Sequence, residues 1–379
     1  MKQHHDIRPK MIETREDLQR LVEKLAGETV LAWDLEADSL HHYREKVCLI
    51  QIATSTEVFL VDPLAVTDLS PLAALLENPA IRKVFHGADY DIRSLYRDFS
   101  LSVHNLFDTM IACQLLGEKE VGLAAVLKKR FGAELDKRYQ KADWSRRPLD
   151  AGMITYAAAD TLFLVALYRQ LEKELADRGR LSWVEEECLL LSEVRAADRD
   201  GEPFYLRFKG ASRMDRRTLA VLEELLQFRD EKARLSDRPP FKILSNETMR
   251  ELAEKKPSTL QDMAGVPGLP PRSVERYGRD ILKAVAQGCS LPEDQLPVMA
   301  RAVRPERDAE REDRLKRLKR WREGKALTLG IDAGILVNNA LLENLAKAVP
   351  RNLSDLDAFP ALRRWQKEVL GEDLLGTLR

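Results

Sequence analysis

Asp34 and Glu36 stand two residues apart in the run Trp-Asp-Leu-Glu-Ala-Asp, Asp91 closes the run His-Gly-Ala-Asp-Tyr-Asp, and Tyr156 and Asp160 share the run Thr-Tyr-Ala-Ala-Ala-Asp. Alternate residues of a strand share one face, so Asp34 and Glu36 are expected to project together. Two carboxylates placed this way repel each other unless a cation joins them, and hard oxygen ligands suit Mg²⁺ or Mn²⁺. Tyr156 and Asp160 lie four apart on a predicted helix and so point to one side of it. Asp91 begins a helix just after a short strand, where the helix dipole favours a carboxylate whatever its function. A lone Asp-x-Glu would say little, because charged pairs at strand ends are common. The five residues together point to a site that gathers divalent cations.

The segments that must hold these residues alternate strand and helix signals. Residues 29–33 read as a strand ending at Asp34. Residues 47–54 and 57–61 read as a hairpin around Ser55-Thr56, and residues 83–86 as a short strand stopping at Gly87. Helices are expected over 69–76, 90–99, 107–116 and, as one long element, 149–175. The pattern is a mixed sheet with helices packed on it. Beyond it, strand signals almost vanish and an internal repeat appears. Residues 228–233 match 321–326 at an offset of 93, 243–246 match 335–338 at 92, and Leu260, Asp262, Pro267 and Leu269 match Leu353, Asp355, Pro360 and Leu362 at 93. The repeat predicts two small helical domains of one type, with a one-residue insertion between the matched blocks.

The 379 residues allow two or three domains. The net charge of −1 conceals an asymmetry: residues 1–205 carry a balance of −8 and residues 206–379 a balance of +7. An acidic front half suits a site for cations, and a basic back half suits a polyanion, although solvated helix faces would give the same bias. No apolar run approaches the roughly 20 residues of a membrane span, and the polar first ten residues lack a signal core. A cytoplasmic protein without membrane contact is expected, and nothing points to a protein partner. Cys48, Cys113, Cys188 and Cys289 have no zinc spacing and read as reduced, mostly buried thiols. His41, His42 and His86 read as structural or solvated, with no partner at ligand spacing.

In order and spacing the acidic motifs resemble the DEDD exonuclease superfamily, and within it the tyrosine-bearing branch. The histidine branch would place His five residues before the last Asp, where this chain has Thr155. Phe107-Asp108-Thr109 and the stretch Trp144-Ser145-Arg146-Arg147-Pro148-Leu149 resemble the ribonuclease D family, and the repeated helical units resemble HRDC domains. The resemblance covers nearly the whole chain. It implies a ribonuclease H-like α/β exonuclease domain over residues 1–205, then two all-α HRDC-like domains over 206–291 and 307–379, joined by a linker over 292–306.

The resemblance implies 3′-5′ release of 5′-mononucleotides from RNA, with tRNA precursors or other small structured RNA as substrates. A DEDD exonuclease acting on DNA is the alternative that the motifs leave open. A non-catalytic nucleic-acid binder is a further reading, disfavoured because all five motif residues are present. Two divalent metal ions about 4 Å apart would stabilise the attacking and leaving oxygens. Asp34 would bridge them, Glu36 and Asp160 would complete one shell, and Asp91 would help to hold the second ion. Tyr156 would orient the attacking water without itself being a strong base. Trp144 could stack on a terminal base or pack in the core. Arg146 and Arg147 could hold phosphate or be solvated. All five motif residues precede residue 210, so a chain ended there is expected to keep the site.

Overall fold

The structure is a computed structural model and describes residues 8–197, 199, 201–299 and 308–379. The chain forms two compact units. One comprises residues 8–37, 47–196 and 308–379, and the other residues 38–46 and 197–299 as far as they are described.

The first unit is built on a six-stranded sheet. Its strands are β1 (Lys10–Ile12), β2 (Val30–Ala37), β3 (Val47–Ala53), β4 (Val58–Val61), β5 (Arg82–Phe85) and β6 (Leu106–Asp108), in the spatial order β1-β4-β3-β2-β5-β6. β2, β3 and β4 pair antiparallel, whereas β1 joins β4, β5 joins β2 and β6 joins β5 in parallel. Every residue of β3, Val-Cys-Leu-Ile-Gln-Ile-Ala, is buried. A strand covered on both faces reads as such a continuous apolar run. The helices of the sheet domain are α1 (Arg15–Leu25), α2 (Ala73–Leu76), α3 (Asp89–Phe99), α4 (Thr109–Leu116), α5 (Leu123–Phe131), α6 (Ala151–Leu162), α7 (Leu164–Asp177) and α8 (Leu181–Ser192). The mixed sheet with flanking helices is the expected α/β class.

Three local readings are corrected. β2 does not end at Asp34 but runs to Ala37, because its backbone stays paired with β3 through both carboxylates. Residues 106–108 form strand β6 ahead of α4, with Asp108 as the cap that accepts from the Met110 and Ile111 amides. The predicted helix over 149–175 breaks at Phe163 into α6 and α7. Taken together, 151–177 is long and apolar enough to cross a membrane by length and composition, with an 18-residue window of mean hydropathy 1.4, against the expectation that no segment would be. Half of that window is buried, and α6 packs on β2, β3 and β4 while α7 packs on β2 and β5, as core helices of a folded domain do.

The two repeats adopt one fold. In the second unit it consists of α9 (Arg216–Leu235), α10 (Pro240–Ile243), α11 (Asn246–Lys255) and α12 (Pro271–Ser290). In the first unit it consists of α13 (Ala309–Leu329), α14 (Ala333–Leu336), α15 (Asn339–Ala348) and α16 (Arg364–Leu378). Arg229 donates to the Leu244 carbonyl and the Asn246 amide oxygen at 3.1 and 2.7 Å, and Arg322 donates to the Val337 carbonyl and Asn339 at 2.7 and 2.9 Å. A Cβ on Gly278 would meet Leu260 at 2.6 Å, and one on Gly371 would meet Leu353 at 2.7 Å. These pairs all stand at one offset, so the inserted residue inferred from the sequence is not needed. Of the predicted linker over 292–306, residues 300–306 lie outside the described residues.

The second repeat is part of the sheet domain's own unit. Trp183 of α8 stacks on Trp365 of α16 with ring centroids 4.4 Å apart and planes 13° apart. The Glu186 carboxylate accepts from the Arg364 and Trp365 amides at 2.7 and 3.0 Å, and Glu187 accepts from the Arg363 guanidinium and the Trp365 indole at 3.1 Å. Arg180 donates to the carbonyls of Leu115 and Leu329. A Cβ on Gly117 would lie 1.7 Å from the Gly330 carbonyl oxygen, so the two backbones touch there. A chain ended at residue 210 therefore keeps all five motif residues but lacks the repeat that packs on the sheet domain. In the other unit, residues 38–46 pack with the first repeat. Tyr43 donates its hydroxyl to Asp230 at 2.7 Å, and His42 pairs with Asp237 at 2.7 Å.

Candidate metal centre

β2 is a central strand, and its period-two geometry sends Asp34 and Glu36 to one face while Leu31, Trp33 and Leu35 fill the other. α6 crosses the carboxylate face. Its N-cap, Asp150, accepts from the Met153 amide at 2.8 Å and fixes where the helix starts. One turn then sets Tyr156 beside Asp160. The result is a cluster in which ligand oxygens of Asp34, Glu36 and Asp160 all lie within 4.8 Å of one another. Asp91 stands outside that trio, yet close enough for its charge to act on both Asp34 and Glu36. The turn before Asp91 is held by buried Asp108, which accepts from the Gly87 and Ala88 amides at 3.0 and 2.7 Å.

The electrostatics are those of a cation site. Burial, and then the charges of Asp91, Asp160 and Glu36, push Asp34 well above the ordinary carboxylate range. Burial followed by Asp160 and Asp91 raises Glu36 to about 9, burial followed by Asp108 raises Asp91 to about 7, and burial raises Asp160 to about 6. Four carboxyls that resist ionising together are what a bound divalent cation would relieve. The Tyr156 phenol is also held well above its ordinary value, by burial first and then by Asp160 and Glu36, and it makes a side-chain hydrogen bond with Asp160. It therefore stays protonated and serves as a donor.

A pH dependence of stability follows. In the metal-free protein the folded state keeps protons that the unfolded chain, with carboxyls at 3.8 to 4.5, has already released. The stabilisation is complete below that range and is lost as pH rises through about 6, 7 and 9, the values of Asp160, Asp91 and Glu36. Thermal melts in a chelator should fall in midpoint from pH 5 to pH 9, and saturating Mn²⁺ should flatten that slope. A chelated protein whose melting point rises over that range would contradict the assignment.

The remaining sequence candidates separate. Trp144 is 1% exposed, with its ring 5.9 Å from that of Tyr156, and Tyr139 lies 6.0 Å from Tyr156. Trp144 therefore supports the tyrosine and offers no open face to a base, which corrects the stacking role. The Arg147 guanidinium is fully used: it donates to both Asp62 oxygens at 2.5 and 2.7 Å and to the carbonyls of Trp144, Arg146 and Cys48 at 2.7 Å. All five of its donors face protein, so a phosphate role for Arg147 is also corrected. Arg146 is 80% exposed, with one contact to Asp143 at 3.3 Å, and remains able to reach a phosphate. Cys48, Cys113 and Cys188 are buried, and Cys289 is exposed.

The cluster opens into a cavity of about 290 Å³ whose lining includes Asp34, Tyr156, Asp160, His86, Lys137 and Gln140. The last three were not read from the sequence as site residues. His86 sits against Thr109 at 2.8 Å, and burial pushes it below its ordinary value, so the imidazole is neutral at pH 7. Its place directly after β5, on the way to Asp91, is the signal that could have found it. Lys137 and Gln140 come from an irregular stretch with no motif. Gln51 was also missed. It is the register partner of Asp34 across β2 and β3, it is fully buried, and neither atom of its amide has a hydrogen-bond partner. Each such group left unpaired costs about 1–3 kcal/mol.

Comparison with known proteins agrees with this geometry. A family profile described as 3′-5′ exonuclease matches residues 9–176, and the HRDC domain profile matches residues 218–285 and 311–378. Ribonuclease D of Gluconacetobacter diazotrophicus is 35% identical over 292 residues, 76% of this chain and 74% of that protein. Ribonuclease D of Acidiphilium cryptum is 30% identical over 370 residues, 97% of this chain and 92% of that protein. The crystal structure of Escherichia coli RNase D, described as an exoribonuclease involved in structured RNA processing, superposes with a TM-score of 0.75 at 26% identity, covering 98% of this chain and 99% of that one. The catalytic core of RRP6 from Trypanosoma brucei superposes with a TM-score of 0.65 at 33% identity, covering 75% of this chain and 80% of that one.

Proposed function

The chain belongs to the ribonuclease D family and is a metal-dependent 3′-5′ exoribonuclease, and on that premise we propose that Asp34, Glu36, Asp91, Asp160 and Tyr156 are its catalytic machinery. The observation that carries the assignment is the carboxylate trio within 4.8 Å, with every member pushed toward protonation by burial and by its neighbours. Asp34, Glu36 and Asp160 would hold one divalent ion. Asp34 would be shared with a second ion, which Asp91 helps to hold. Mg²⁺ or Mn²⁺, two in number, fits an all-carboxylate donor set. Such ions supply charge neutralisation at the phosphate and acidify the attacking water.

Tyr156 orients that water. Its phenol is anchored by Asp160 and packed between Trp144 and Tyr139. Because the hydroxyl stays protonated, it positions and does not deprotonate. Replacing Tyr156 with Phe removes the hydroxyl and leaves the packed ring, so turnover on RNA should fall by about 10²-fold or more, the scale of a positioned proton-handling group. Mn²⁺ affinity measured by isothermal titration should stay near wild type. A large loss of metal affinity would instead make the phenol part of the ligand shell.

The substrates we propose are tRNA precursors and other small structured RNAs, supported by the exonuclease domain with two HRDC repeats and by the likeness to RNase D along the whole chain. The same likeness supports a division into a nuclease domain over 1–205, helical domains over 206–291 and 307–379 and a linker over 292–306, and a cytoplasmic location. Arg146, exposed near the site, is proposed to contact the RNA backbone.

A further inference from the structure

We infer that Gln51 is a positioning residue of the metal centre: its side-chain amide, unpaired in the metal-free protein, turns to donate to the Asp34 carboxylate when a cation is bound and holds it in the orientation that grips the ion. The inference rests on the proposed metal site and extends it to a residue outside the acidic motifs.

The argument begins with register. Gln51 pairs with Asp34 across β2 and β3. Directly opposed residues of an antiparallel pair share a face, with Cβ atoms about 4.5–5.5 Å apart. Gln51 therefore stands on the carboxylate face, under α6, which carries Tyr156 and Asp160. Its neighbours on that face along β3 and across β4 are apolar, while Glu36 lies diagonal to it on β2. Leu49 and Ala53 lie two residues away on β3, and Leu60 is the partner across β4. Of its two direct register partners, Asp34 and Leu60, Asp34 alone offers a side-chain acceptor. Gln51 is 0% exposed, so no bulk water reaches it, and both amide atoms lack a partner. A leucine or methionine would fill this space at no desolvation cost. A glutamine kept there unpaired has the chemistry of a donor to a carboxylate, and ionised Asp34 accepts only. Loss of a group that fixes a ligand's orientation costs about 10–100-fold in metal affinity.

The test uses the full chain and Gln51→Met, which keeps the volume and removes both polar atoms. Mn²⁺ binding by isothermal titration should weaken by roughly tenfold or more, the scale of an outer contact to a ligand. The melting point of the metal-free variant should be unchanged or higher, since an unpaired buried amide has been removed. A purely structural Gln51 predicts the reverse, a lower melting point with unchanged Mn²⁺ affinity, and that result overturns the inference. Gln51→Glu covers the case in which the Met variant does not fold. A fifth carboxyl against Asp34 should move the pH midpoint of Mn²⁺ binding upward, and a wild-type midpoint would also overturn the inference. Asp34→Ala runs in parallel. If it binds Mn²⁺ normally the metal site itself is misassigned, whereas loss of binding there with normal binding in Gln51→Met removes only the role of Gln51.

Discussion

Asp34→Ala, and separately Asp160→Asn, should lower the rate of mononucleotide release from RNA by on the order of 10³-fold or more, a loss expected when a cation that stabilises transition-state charge is no longer held. Asp34 feels the charges of Asp91, Asp160 and Glu36 together, and its ligand oxygen lies within 4.8 Å of those of Glu36 and Asp160. The same variants should leave the chelated protein as stable as wild type or more so at pH 8, because each removes one repelling, partly desolvated carboxylate. The opposite signs of the two effects distinguish a functional cluster from structural acids. Turnover measured beside chelator melts checks both, and a variant that keeps wild-type turnover would remove the residue from the site.

Deletion of residues 308–379 should cost the nuclease domain its stability, although none of the five motif residues is lost. The deletion bares Trp183, which is 7% exposed in the intact chain and stacked on Trp365. It also strips Glu186 and Glu187 of their amide, guanidinium and indole donors. Truncating one buried tryptophan to alanine costs about 3–5 kcal/mol, a scale the loss of Trp365 with its repeat should match, and each kcal/mol shifts the melting point of a domain this size by about 2–4 °C. A fall on the order of 10 °C, or outright insolubility, is expected. Trp365→Ala in the full chain should reproduce part of the fall. A shortened protein that melts with the parent would show that the second repeat is not part of this unit.

These two expectations mark what could be read from the residues alone. Asp34, Glu36, Tyr156 and Asp160 were legible because strand and helix periods fix which side chains share a face, and the sheet and α6 then bring those faces together. Asp91 was legible from the strand-to-helix step at Gly87, although the hold of Asp108 on that step needed the fold. Trp144 and Arg147 misled because a tryptophan and an arginine beside a site look alike in sequence whether they face ligand or core. Only the buried Asp62 and the ring of Tyr156 decide between the two. Gln51 was invisible for a related reason: inside an apolar strand it carries no spacing signal, and its significance comes from register with Asp34. The docking of the second repeat on α8 was equally hidden, since Glu186 and Glu187 lie 178 and 176 residues from their partners Arg364 and Arg363.

The central claim, a metal-dependent nuclease that removes nucleotides one at a time from the 3′ end of RNA, is tested most directly by a time course on one RNA labelled at either end, beside DNA of the same sequence, with Mn²⁺ and with chelator. The 3′ label should appear at once as a mononucleotide, while the 5′-labelled strand shortens through a one-nucleotide ladder. The DNA should be degraded more slowly, and the chelated reaction should stand still. Early release of the 5′ label, internal fragments, or undiminished cleavage in chelator would contradict the account.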